Sequence, residues 1–168
     1  MSKQILFCVE TSSNAETDKV YIKETIYHYY SLENKTRIRF IFFEGKGNYK
    51  KKNILKQISD QVKQYSAIGS THVIYCIDTD RYDADPAQVR ELDEIKHYCE
   101  QQGYDLIWFC RDVEDVFWGE QIHKDDKTKM ATKFRSSRQI THVDNQKLRC
   151  EDYTRHKSNI LQILDKYL

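Results

Sequence analysis

Three carboxylates follow apolar runs in a way that suits a divalent cation. Glu10 comes directly after Ile5-Leu6-Phe7-Cys8-Val9, and Asp78-Thr79-Asp80 comes directly after the run 71–77. Where such runs are neighbouring strands of an open parallel sheet, ligands bind beyond their carboxyl ends. The three acids then share one crevice. Like charges that close repel unless a proton or a cation intervenes, and Mg²⁺ and Mn²⁺ prefer oxygen ligands. An Asp-x-Asp alone also marks ordinary acidic turns. Its position after the most apolar run, with Glu10 after another, is what points to metal chemistry at Glu10, Asp78 and Asp80.

The elements that must position these acids alternate. Strands are expected at 3–9, 37–43, 71–77 and 104–110, each β-branched or aromatic. Between them lie helices. Residues 16–31 carry Val20, Ile22, Ile26, Tyr27 and Tyr30 at mostly helical spacing, and 51–65 place Ile54, Leu55, Ile58, Val62 and Tyr65 on one face. Gly69-Ser70 reads as the end of the second helix. Pro86 opens a third helix that runs to about 102, capped by Asp85 and ended by Gly103. A short helix at 112–118 and a closing helix at 151–167 complete the pattern, and the polar stretch 120–150 reads as an insertion. This alternation predicts an α/β fold with a mostly parallel sheet of about four strands. The 168 residues fit one domain, with a core over about 3–118 and a polar C-terminal extension over 119–168.

Composition narrows the setting. Hydrophobic residues make up 39 % and charged residues 32 %, which fits a globular chain rather than a membrane-embedded or disordered one. No apolar run is long enough to span a bilayer, and the N-terminal run is too short for a secretory signal, so a cytoplasmic location is expected. The five cysteines form no C-x-x-C pair and read as reduced, mostly buried thiols. With 27 basic and 26 acidic residues the net charge is +1, yet the charges are segregated. Lys46, Lys50, Lys51, Lys52 and Lys56 crowd one stretch and 124–138 forms another, with the acidic 78–93 between them. A cation floor between basic walls that hold a polyanion is one reading; solvated helix faces are the other.

The order Val9-Glu10, then Gly45-Lys46-Gly47-Asn48, then Ile77-Asp78-Thr79-Asp80 resembles the Toprim family. The run Arg111-Asp112-Val113-Glu114-Asp115-Val116-Phe117-Trp118 is similar to the acidic-aromatic helix start of small Toprim proteins of the RloB and OLD-nuclease type. Where that family has a glycine after its glutamate, this chain has Thr11. The resemblance covers about 3–118. It implies a Mg²⁺- or Mn²⁺-dependent phosphoryl-transfer enzyme, a nuclease on DNA or RNA, of a kind that serves defence against phage or mobile elements. Asp78 and Asp80 would bind metal, and Glu10 would share it or act as general acid/base. Glu114 or Asp115 would complete a second metal position. Lys46, Gly47, Lys50, Lys51 and Lys52 would line the phosphate side, and Arg155 with Lys157 would approach it from the opposite side. A separate ATPase partner and a homodimer belong to the same expectation. A non-catalytic interaction module that keeps the fold is the alternative, and Thr11 is the residue that favours it.

Overall fold

A computed structural model describes residues 2–168. Its frame is a four-stranded sheet in the order β2-β1-β3-β4, formed by β1 (Ser2–Val9), β2 (Thr36–Phe42), β3 (Gly69–Asp78) and β4 (Asp105–Phe109). Every pairing is parallel. Strands buried on both faces read as continuous apolar runs, and β1 and β3 do so because they are the two central ones. β1 sends its chain to β2 on one side while β3 lies on the other, so the order reverses between β1 and β3. The crevice opens at their carboxyl ends.

The alternation of side chains along the strands sorts the core into two layers. On one face Leu6, Cys8, Val73, Tyr75 and Ile77 pack with α2 (Lys52–Tyr65) and α3 (Pro86–Gln102), through Ile54, Ile58, Leu92 and Ile95. On the other, Ile5, Phe7, Val9, Ile74 and Phe109 meet α1 (Thr17–Tyr29), α4 (Val113–Trp118), α5 (Lys127–Ser136) and α6 (Ile160–Leu164). The stretch expected as a polar insertion therefore belongs to the core. Ala131 and Phe134 of α5, with Ile140 and Leu148 beyond it, are buried in the same layer as the sheet. The apolar residues of 120–150 are few and divided by polar gaps such as 123–129, so they trace no continuous face without the partner that covers them.

Three local expectations shift. Gly69 does not end a helix but starts β3, and a Cβ there would stand 1.8 Å from the Ser2 carbonyl oxygen of the neighbouring strand. The closing helix is Ile160–Leu164, much shorter than 151–167, because the chain before it is used as a strap along β4. The buried stripe of α1 is Thr17, Asp18, Tyr21, Ile22, Thr25 and Ile26, whereas Tyr27 is 57 % exposed. By contrast α3 begins at Pro86, is capped by Asp85 accepting from the Ala87 N–H, and ends at left-handed Gly103, as its residues dictate.

The strap closes one edge of the sheet. Ser158 bridges Phe109 in antiparallel fashion, and the Cys110 N–H donates to the Lys157 carbonyl at 3.0 Å. Asn159 then works as a strand in miniature: its Oδ1 accepts from the Trp108 N–H and its Nδ2 donates to the Leu106 carbonyl, both at 2.9 Å. Edge groups left open would invite pairing with other chains.

Candidate active site

The β1–β3 register carries Val9 opposite Cys76, so the residues that follow emerge side by side. Glu10 Oε2 accepts the Asp78 backbone N–H at 3.1 Å, which pins the glutamate across the two strand ends. Asp80, two residues on, turns back in the left-handed region at φ 50°, and its carboxylate is bound by the Lys46 ammonium. Lys46 reaches it from the turn after β2 and is itself buried. Glu10, Asp78 and Asp80 thus lie at one end of the sheet. Asp80 is directed to a lysine, while Asp78 faces other acids.

Those other acids come from three elements. Asp18, in the first turn of α1, is buried on the helix's core stripe, and its carboxyl is pushed up to about 8 by burial and by Glu114 and Glu10. Glu114, in the first turn of α4, is buried, and burial raises it above the usual carboxylate range. Lys127 from α5 answers it, with Nζ 2.8 Å from Glu114 and 3.2 Å from Asp112. Burial works against the charge on Lys127, yet these two partners outweigh it and hold the ammonium above its ordinary range. Asp78 is raised well above its ordinary value by burial and by the nearness of Asp18, Glu10 and Glu114. Glu10 is pushed up to about 7, chiefly by burial, with Lys46 opposing the shift.

The result is a carboxylate seam with a lysine at each end, Lys46 beside Asp80 and Lys127 beside Glu114. Two of its oxygens, Asp78 Oδ1 and Glu114 Oε1, are buried with no hydrogen-bond partner. A buried carboxylate oxygen left unpaired is costly. Among the described residues no three acids, histidines or cysteines already stand as a ready ligand cage. What fits a hard divalent ion is the donor set itself: unpartnered oxygens of mutually repelling carboxylates.

The expected phosphate residues divide. Lys46 points inward, whereas Gly47, Lys50, Lys51 and Lys52 are exposed at the turn and at the start of α2. Lys50 lies over the Tyr49 ring at 5.4 Å. Asp115 is buried with neither carboxylate oxygen hydrogen-bonded, and its Oδ2 lies 3.0 Å from His156 Nδ1. Asp18 and Lys127 were not anticipated. The trace for Asp18 was there: a charge in phase with Tyr21, Ile22, Thr25 and Ile26, on a stripe that should be apolar.

All five cysteines are free thiols, and no described helix is long and apolar enough to cross a membrane. The chain matches no protein-family model, no curated protein and no solved structure among those compared.

Proposed function

We propose that the seam is the active site of a metal-dependent phosphodiesterase, a nuclease of Toprim-like design acting on DNA or RNA. The observation that carries this reading is the unpartnered pair Asp78 Oδ1 and Glu114 Oε1 inside a cluster of acids whose charges oppose one another. Asp78 and Glu114, with Asp18 near both, would hold Mg²⁺ or Mn²⁺. When bound, the ion would offset the charge that builds on the phosphate and lower the pKa of a water.

The remaining steps fall to the chain's own groups. Hydrolysis forms a P–O bond from water and breaks the P–O bond to the leaving sugar oxygen. Glu10, with a carboxyl raised to about 7, is divided between its two protonation states near neutrality. Its carboxylate takes the proton that water gives up, and its acid form returns one to the leaving oxygen. The Asp78 N–H holds Oε2 in place for this. Lys46 supplies a fixed positive charge beside the reacting phosphate and keeps Asp80 turned toward it. Exposed Lys50, Lys51 and Lys52 extend that positive side toward the rest of the polyanion. A cytoplasmic location, a role in defence, a separate ATPase partner and a homodimer belong to the same reading.

A second reading has its own observation. Lys46 and Lys127 already neutralise part of the seam, as internal cations do in a site that has given up its metal. On that reading the chain is an interaction module.

The two part in one experiment. Purified protein is incubated with plasmid, linear and single-stranded DNA and RNA, in Mg²⁺, Mn²⁺ or EDTA, beside Asp78→Asn and Glu10→Gln. Metal-dependent cleavage lost in both variants supports the enzyme. Absence of cleavage, together with no Mn²⁺-induced change in melting temperature, favours the module.

A further inference from the structure

Beside the seam lies a cavity of about 370 Å³ that the hydrolytic step leaves unused. Its wall carries Arg81, Arg111 and Arg155 together with Asp80, Asp112 and Asp115. By count the charges cancel, so their partners decide the sign. Asp80 is bound by Lys46, Asp112 lies 3.2 Å from Lys127, and Asp115 lies 3.0 Å from His156. Arg111 is engaged by Asp83 at 2.9 Å. The guanidinium groups of Arg81 and Arg155 make no ion pair or hydrogen bond among the described residues, although both line the cavity. Asp80 and Asp112 each have a lysine, Asp115 is buried against an imidazole, and two arginines have no anion.

Arg81 and Arg155 are exposed side chains, and the backbone that carries Arg81 is fixed. Past the ends of β3 and β4 the two chains stay tied: the Thr79 N–H donates to the Phe109 carbonyl and the Asp80 N–H to the Arg111 carbonyl, both at 2.9 Å. The Arg111 N–H returns a bond to Thr79 Oγ1 at 2.8 Å. Asp80 and Arg111 both sit in the left-handed region, at φ 50° and 65°. Strained backbone of this kind persists only where its surroundings over-determine it. Asp80 there meets Lys46 at the edge of the cavity, and Arg81 follows it in the wall. Arg155 arrives from the strap that runs along β4, one residue before His156.

We infer that this cavity is a subsite for a phosphate group of the substrate, held by Arg81 and Arg155 next to the phosphate at the seam. Planar guanidinium forks match phosphate oxygens in pairs. Asp80 and Asp112 belong to both the cavity wall and the seam, so anions in the two places are immediate neighbours. A polynucleotide backbone presents phosphates in such a series. The identity of the substrate rests on the nuclease reading; the anion site rests on the arginines.

The test uses Arg81→Gln, Arg155→Gln, the double variant and Arg155→Lys. Fluorescence anisotropy in EDTA follows short single-stranded DNA and RNA at several salt concentrations, and NMR titration follows inorganic phosphate. The double variant is expected to bind the oligonucleotide about tenfold more weakly, with a salt slope lower by about one to two. Its phosphate-induced shifts should vanish, Arg155→Lys should recover part of the affinity, and melting temperature should not move. Equal affinity and equal slope in wild type and double variant would overturn the subsite. Phosphate bound through the two arginines with no oligonucleotide binding would keep the anion site and overturn the nuclease substrate. Asp78→Asn provides the reverse control, losing cleavage while keeping oligonucleotide affinity.

Discussion

Replacing Asp78 by asparagine removes a carboxyl whose ionised form burial, Asp18, Glu10 and Glu114 all oppose. The variant is therefore expected to be more stable than the wild type in EDTA, by about 1 kcal/mol, while its cleavage rate falls at least a hundredfold (~10²). Thermal denaturation and a cleavage assay on the same preparation check both halves. Lys127→Ala acts in the opposite direction, because it strips Glu114 and Asp112 of their cation. Breaking a fully buried pair costs about 3–5 kcal/mol. Lys127 keeps 30 % of its side chain exposed, so a loss of about 2 kcal/mol at pH 8 is expected from urea denaturation. Glu10, Asp78 and Asp80 were legible from sequence because they sit at or just past the ends of their strands. Asp18 was not, since the acid that acts on it most, Glu114, comes from α4, and its only local mark is the phase it shares with the apolar stripe of α1.

At the scale of elements, legibility followed how local the stop signals are. The α3 helix has proline, cap and glycine within its own residues, and its bounds follow from them. The strap 151–159 has no such signal. The helical spacing of Ile160, Leu161, Ile163 and Leu164 is real, but the polar residues before it are straightened by their bonds to β4, which lies some fifty residues upstream. Asn159→Ala would leave the Trp108 N–H and the Leu106 carbonyl without their partners. Asn159 is only 8 % exposed, so the expected cost is about 2–3 kcal/mol in urea denaturation. Faster hydrogen exchange at the Trp108 amide would assign that loss to the edge. Preserved exchange at Trp108 would show that the strap holds without Asn159.

For the molecule as a whole, the raised carboxyls of Glu10 and Asp18 make folding respond to pH. Their ordinary values are 4.5 and 3.8, and they stand at about 7 and 8 in the fold. Between those limits the folded chain binds protons that the unfolded chain has released, so their stabilising contribution is complete below the ordinary values, falls as pH rises above them, and is gone once pH has passed about 7 to 8. In EDTA the melting temperature is expected to fall by several degrees between pH 5 and pH 8. Mn²⁺ should restore it at pH 8 far more than at pH 5, because the ion competes with the same protons. A melting temperature that rises with pH in EDTA would show that pairing with Lys46 and Lys127 outweighs burial. The strap has a different kind of consequence, in time. Asn159 is 51 residues beyond the Trp108 it seals. At synthesis rates of about 5–20 residues per second, the edge of β4 waits roughly 3–10 s on the ribosome before its cover exists. The nascent chain is most exposed to wrong pairing in that interval, and an aromatic, apolar Leu106-Ile107-Trp108-Phe109 edge is what a chaperone would have to shield.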